Sequence, residues 1–379
     1  MSARGLGLFL TSAALVVSAC GGGSGGGPTT PSTPPPEPTY ALPVVVFYDQ
    51  NGDGLLDPSE PSRMPGAEVV AGSATARTDR GSGRAVIQAR AGTHTVAIRA
   101  ESLPPYWVPT TGVSVTVPGA AEVQLPVRLP VGDNRPSVYS AFGDSLTRGE
   151  GSATGGGFRV PLQNQLAGYF GQAFVINNGI DGSFSTRGAA RIPGVMSRER
   201  PAYTLILYGT NDWNDQACQR LPPAQCFTIN NLAIIVDYVK SVSSIPVLAT
   251  LPPMNPALAP RERTDWNAEM NVLIKNLAQS EGAILADLFA AFPTTTPNSL
   301  PQYFADDVHP NDQGYALIAQ AFLKALGTSR SGTPGPADFG GSLGFAFVRP
   351  VEAGGRASAP FSRGPGKRYA GARSRTRAD

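Results

Sequence analysis

The chain reads as two folded units in series, an all-β sandwich followed by a parallel sheet with helices on both faces. Two observations predict this. Short β-rich runs separated by Gly, Pro and Asp-Arg-Gly turns fill residues 40–131, and from residue 135 short apolar runs alternate with helical patterns. At 379 residues one compact unit is not expected, and a 41% hydrophobic content suffices for a core. The formal charge of +2 gives no global field for nucleic acid.

Arg4 precedes a short apolar run from Leu6 to Val17, which ends in Val17-Ser18-Ala19-Cys20. A run this short, closed by small residues, is an export signal rather than a spanning helix. These residues resemble a bacterial lipobox, which implies removal of residues 1–19 and lipidation of the Cys20 thiol. The expected location is the cell envelope or surface, with a membrane engaged through the lipid. Residues 20–39 are rich in Gly, Ser, Thr and Pro, bury no apolar area, and read as a tether.

In the β unit the runs are Val44–Phe47, Ala85–Ile87, Thr95–Ile98, Val113–Val117 and Val123–Leu125. Alternation in Val113–Val117 suits a half-buried strand. In the α/β unit the strand candidates are Val138–Phe142, Phe174–Ile176, Thr204–Tyr208, Val247–Thr250 and Ile284–Ala286. Helices are expected over Ile229–Ser241, where Leu232, Ile235, Val236 and Val239 recur at helical spacing, over Trp266–Glu281, and over Ala316–Leu326. After Gly327 the pattern stops. Residues 328–379 are rich in Gly, Ser, Ala and Pro, carry nine Lys or Arg against three acids, and read as a disordered basic tail. Cys218 and Cys226 flank a loop holding Pro222 and Pro223. In an exported chain they suggest a disulfide, because no further Cys and no nearby His completes a zinc site.

Residues 49–60 match an EF-hand loop position by position. Asp49, Asn51, Asp53, the Leu55 carbonyl, Asp57 and Glu60 stand at the ligand positions, with Gly54 at the sharp turn. Hard oxygen donors at alternate positions suit Ca²⁺. A β run before the loop, and Pro58 and Pro61 in and after it, oppose flanking helices, so the loop is expected to join strands. Together with Val46-Phe47-Tyr48, Pro65-Gly66-Ala67-Glu68-Val69 and Thr78-Asp79-Arg80-Gly81, it resembles the B-type repeats of bacterial surface adhesins. That resemblance implies a transthyretin-like sandwich serving as a calcium-stiffened spacer or a binding module. His94 reads as a surface or packing histidine.

Ser145 follows the first strand of the α/β unit, where ligands of open parallel sheets bind. A serine hydroxyl needs a base to become a nucleophile. The chain has two histidines, and His309 is the one outside the β unit. Asp306 stands three residues before it and can hold its Nδ1–H; Asp307 is the alternative carboxylate. Ser145 does not sit in a Gly-x-Ser-x-Gly elbow. Four blocks instead resemble the SGNH, or GDSL, hydrolases: Phe142-Gly143-Asp144-Ser145-Leu146-Thr147-Arg148-Gly149, Asn178-Gly179, Gly209-Thr210-Asn211-Asp212, and Asp306-Asp307-Val308-His309-Pro310-Asn311. They cover about 195 residues in the family's order.

The resemblance implies a three-layer, flavodoxin-like αβα fold. It implies that Ser145 attacks an ester carbonyl, His309 transfers its proton, and Asp306 orients His309. The Ser145 and Gly179 amides and the Asn211 side chain then hold the oxyanion, with Gly182 close enough to replace Gly179. Asp144 and Asp212 brace their turns. Gly155-Gly156-Gly157 and the Cys218–Cys226 loop are expected to border the pocket. The expected activity is a cofactor-free serine esterase acting on acylated carbohydrate, acetyl esters first, or on acyl lipid. The competing reading is a surface adhesion protein in which the β unit carries the function.

Overall fold

The computed structural model describes residues 37–327. The leader, Cys20, the first part of the tether and the basic tail lie outside the described residues. Among the described residues no helix is long and apolar enough to cross a membrane.

The β unit contains β1 (Thr39–Tyr48), β2 (Glu68–Ala71), β3 (Ala74–Arg77), β4 (Arg84–Arg90), β5 (Gly92–Ile98), β6 (Val108–Pro109), β7 (Val113–Val117) and β8 (Val123–Arg128). They form two four-stranded sheets, β4-β1-β8-β6 and β3-β2-β5-β7. Val44, Val45, Val46 and Phe47 are buried on both faces of β1. Beyond the reach of β4, the segment around Arg63 pairs with the end of β1, the Met64 amide donating to the Val46 carbonyl and the Tyr48 amide to the Ser62 carbonyl. Strands β2 and β3 were not foreseen, because four-residue strands such as Ala74–Arg77 are half-exposed and show no apolar alternation. His94 lies on β5 at the surface, its Nε2 2.8 Å from the Arg90 carbonyl oxygen.

The α/β unit contains β9 (Arg135–Gly143), α1 (Ser145–Arg148), α2 (Arg159–Phe170), β10 (Phe174–Gly179), α3 (Ser185–Glu199), β11 (Pro201–Leu207), α4 (Gln216–Arg220), α5 (Thr228–Ser241), β12 (Ile245–Ala249), α6 (Arg261–Glu281), β13 (Ile284–Ala286), α7 (Leu288–Ala291) and α8 (Asp312–Ala325). The five strands are parallel, in the order β10-β9-β11-β12-β13. This is the flavodoxin-like arrangement, and its topological switch point falls between β9 and β11. Helices α2 and α8 pack together on one side, and α3, α5 and α6 pack in a row on the other. Trp266, Met270, Ile274, Leu277 and Ala278 form the buried stripe of α6, which ends at Gly282 in the left-handed region. Asn311 caps α8 by accepting from the Gln313 and Gly314 amides.

The two units share one continuous apolar core. Trp107 stacks on Phe170 at 6.1 Å and meets Tyr48 edge-on at 5.0 Å. The Arg63 amide donates to the Phe170 carbonyl at 3.0 Å. Tyr106 Oη donates to the Gly282 carbonyl at 2.6 Å, and Asn134 Nδ2 to the Val242 carbonyl at 2.8 Å. Phe170, Val242 and Gly282 all precede strands, so the sandwich docks on the N-terminal edge of the parallel sheet. The connection between the units is no solvated hinge, since Leu129 and Val131 are buried in it.

Candidate active site

Ser145, Asn211 and His309 meet at the opposite, C-terminal edge. Strand β9 ends at Gly143, and Asp144 turns the chain into α1. Its Oδ1 accepts from the Leu146 amide at 3.0 Å, which caps the helix and leaves Ser145 at the first helical position. A Cβ on Gly143 would meet Thr147 Oγ1 at 2.1 Å and the Leu207 carbonyl at 2.2 Å, so only glycine lets α1 sit this close to β11.

Ser145 Oγ lies 2.9 Å from His309 Nε2, and His309 Nδ1 lies 2.7 Å from Asp306 Oδ2. A carboxylate only accepts, so the proton sits on Nδ1 and Nε2 is free to accept from the serine hydroxyl. The other Asp306 oxygen accepts from the Val308 and His309 amides at 2.9 and 2.6 Å. Burial pulls the Asp306 carboxyl upward, but these bonds outweigh it and hold the group below its ordinary value. The carboxylate is thus fixed by the backbone of the residue whose ring it orients. Asp307 faces elsewhere. Its Oδ2 pairs with Arg263 Nη1 at 3.1 Å, and Arg263 Nη2 donates to the Thr210 carbonyl at 3.3 Å. Buried Arg263 therefore ties the histidine loop to the Asn211 loop, a link for which the sequence carries no signal.

The Gly179 amide, expected to face the oxyanion, is engaged within its own turn. It donates to Asn177 Oδ1 at 3.0 Å, and a Cβ on Gly179 would strike the Arg148 nitrogen at 2.2 Å and the Asp144 carbonyl at 2.7 Å. The residue is a glycine because α1 packs on it. Gly182 lies in the following turn at φ +62°, with open space where a Cβ would be. Among the described residues the Gly182 and Ser145 amides donate to no atom, while the Asn211 side chain makes a long 3.4 Å contact with the Ser183 carbonyl and interacts with the Asp144 carboxyl. Asn211 thus lies against the residue next to Ser145.

Buried charge surrounds the site. Burial, then the neighbouring Asp212 charge, pushes the Asp144 carboxyl up to about 7, and its Oδ2 has no hydrogen-bond partner. Burial also raises Asp212, whose oxygens accept from the Ser185 amide at 2.8 Å and Thr228 Oγ1 at 2.7 Å. Cys218 and Cys226 are bonded, with Cα atoms 4.8 Å apart. Cys226 Sγ lies 3.1 Å from Thr228 Oγ1, so the loop braces the Asp212 turn from behind. On the other flank Gly149 packs on the backbone of Gly155–Gly157, and a Cβ on Gly151 would meet the Pro310 carbonyl at 2.6 Å and the His309 Cβ at 3.1 Å.

In the β unit the EF-hand-like loop joins β1 to the Arg63 segment, which pairs with Phe170, so it lies beside the junction of the units. Glu60 Oε1 accepts from the Gln50 and Asn51 amides at 2.7 and 3.3 Å, while its buried Oε2 has no partner. Asp49 accepts from the Gly52 amide at 2.7 Å and from Arg128 at 3.1 Å. Among the described residues no group of three or more His, Cys, Asp and Glu is gathered to hold a metal.

A serine, an imidazole and a carboxylate in line, with the serine's own amide unengaged, at the switch point of a parallel sheet, are the features of a serine hydrolase. Residues 141–317 match the GDSL-like lipase/acylhydrolase family, and this part of the chain is a domain of that family. The protein is a carboxylic ester hydrolase. The chain is 25% identical over 186 residues to thioesterase 1/protease 1/lysophospholipase L1 of Escherichia coli (strain K12), covering 49% of this chain and 81% of that protein. It is 37% identical over 70 residues to the esterase TesA of Pseudomonas aeruginosa, covering 18% of this chain and 35% of that one. Among solved structures, the acetylxylan esterase Axe2 of Geobacillus stearothermophilus aligns at 21% identity with a TM-score of 0.44, over 53% of this chain and 98% of that one.

Proposed function

We propose that the chain is an exported, lipid-anchored serine esterase that removes short acyl groups, acetyl first, from polysaccharide through an acyl-enzyme. The observation that carries the mechanism is the Ser145–His309–Asp306 line of 2.9 and 2.7 Å contacts. Ser145 Oγ bonds to the ester carbonyl carbon as its proton passes to His309 Nε2. The carbonyl oxygen takes up the electron pair and meets the Ser145 amide, Asn211 Nδ2 and, in place of Gly179, the Gly182 amide. The C–O bond to the alcohol breaks, and the alcohol leaves with the proton from His309. Water then repeats the sequence on the acyl-enzyme, which releases the acid and restores Ser145.

Ser145→Ala should lower turnover of p-nitrophenyl acetate by about 10⁴-fold or more without moving Tm. Retained turnover refutes the Ser145 assignment. The substrate reading rests on the leader and the Cys20 pattern, which put the enzyme where acylated glycans are met. The E. coli relative's name supports a second reading, longer acyl chains on lipids or thioesters. Rates over p-nitrophenyl esters from C2 to C16 separate them: a maximum at C2–C4 supports the acetyl reading, and a maximum at C8 or longer replaces it.

The EF-hand-like loop fits a hard cation in its chemistry. Its donors are all oxygens, and buried Glu60 Oε2 lacks a partner. Asp49, Asn51, Asp53, Asp57 and Glu60, with the Leu55 carbonyl, would hold Ca²⁺, which supplies charge neutralisation next to the junction and no catalytic step. Calcium at about 100 times its Kd should stabilise the fold by about 2.7 kcal/mol, read as a rise in Tm that Glu60→Gln removes. An unchanged Tm in millimolar calcium excludes the site.

A further inference from the structure

Arg191, in the middle of α3, reaches under the C-terminal edge of the sheet. Its Nη2 donates to the Gly143 carbonyl at 3.0 Å, to the Asn178 carbonyl, and to Tyr208 Oη at 2.7 Å; its Nε donates to the same hydroxyl at 3.0 Å. The guanidinium lies 4.1 Å from the centre of the Phe142 ring and 5.6 Å from that of Tyr208. These contacts touch the ends of three strands at once. Gly143 stands two residues before Ser145, Asn178 leads into the Gly182 turn, and Tyr208 leads into Gly209-Thr210-Asn211. Tyr208 Oη also lies 3.2 Å from Ser183 Oγ, and Ser183 gives its carbonyl to Asn211.

We propose that Arg191 is the positioning residue of the oxyanion hole: one guanidinium fixes the three strand ends that carry its three donors. The proposal rests on the serine-esterase reading above. Neighbouring strands of a parallel sheet are hydrogen-bonded along their length, but the loops beyond their ends have no such ladder and are held by individual side-chain contacts. The donors for a developing oxyanion sit on three such loops. Only a planar, multi-donor cation can bond two carbonyls and a hydroxyl while its faces rest on aromatic rings. A lysine keeps the charge but not the fork. Misplacement of the donors by about 1 Å costs on the order of 10²-fold in rate, and a loss of that kind leaves the protein folded.

The test is the pre-steady-state burst of p-nitrophenol from p-nitrophenyl acetate. In Arg191→Met the burst amplitude should stay near that of the wild type while the burst rate falls by about 10- to 100-fold. Affinity for phenylboronic acid, whose Ser145 adduct places an oxygen among the same donors, should weaken by a similar factor. Arg191→Lys should fall between the two. A purely structural role would lower the amplitude at an unchanged rate, and that result overturns the proposal, as does a rate within about twofold of wild type. If Arg191→Met does not fold, Tyr208→Phe decides: it removes the shared hydroxyl alone, a slower burst at full amplitude supports the proposal, and an unchanged burst overturns it. A wild-type burst that persists in Ser145→Ala overturns the serine-esterase reading itself, and Arg191 with it; a wild-type burst lost in Ser145→Ala but unchanged in the Arg191 variants overturns Arg191 alone.

Discussion

The two edges of the parallel sheet solve opposite problems. The N-terminal edge is aromatic: Phe170 lies against Trp107, Tyr139 stacks on Tyr203 at 5.1 Å, and the β sandwich closes over them. The C-terminal edge holds buried acids and arginines, with Asp144 and Asp212 beneath the site and Arg191 and Arg263 crossing between loops. One edge gains stability from apolar contact. The other keeps polar groups out of water and spends stability on their arrangement, as sites that do chemistry commonly do. Stability and activity should therefore be separable by edge.

Trp107→Ala tests the stable edge. Removing a buried indole costs about 3–5 kcal/mol, so Tm should fall by roughly 10 °C while kcat of the folded enzyme is unchanged. A fall in kcat at constant fold would show that the edges are coupled. Asn211→Ala tests the other edge. Loss of one oxyanion donor should lower kcat by about 10²–10³-fold with little change in Tm. Asp144 gives the smallest effect and the sharpest sign. Burial raises its folded pKa to about 7, above the 3.8 of an unburied Asp. The native state then binds more protons than the unfolded chain between these values. The contribution is fully present below about pH 4 and is lost as pH rises through about 7. Asp144→Asn, which cannot ionise, should thus compare more favourably with wild type in Tm at pH 8 than at pH 5. An equal difference at both pH values would mean that Asp144 is not held neutral.

The strands that carry Ser145 and Asn211 were legible because each is a dense apolar run ending in a short polar block, and such runs need no partner to be recognised. Helices α2 and α3 were not. Val160 is exposed on α2, which shows no clear apolar face, and the buried stripe of α3, Ile192, Val195 and Met196, is interrupted by Pro193 and flanked by Gly188 and Gly194, residues that read as breakers. The catalytic blocks could be read because their residues are few and chemically distinctive. The supports could not: Arg191 and Arg263 are two arginines among many charged residues, and only the folded chain shows which carbonyls they reach. The open choice between Gly179 and Gly182 in the sequence has the same origin. Two glycines stand three residues apart, and the contact with α1 that distinguishes Gly179 is tertiary.

Strand β1 runs from exposed Thr39 to Tyr48, against Trp107 at the base of the parallel sheet, and β9 runs on from Arg135 at that base to Ser145. Each is about 30 Å long. One long strand therefore ends at the junction of the units and another runs from that junction to the serine, through a shared core rather than a hinge. The serine and the docked sandwich therefore lie at opposite edges of the same sheet. A substrate can thus reach the serine without passing the sandwich, and a change in the sandwich reaches the serine only through the core that the two units share.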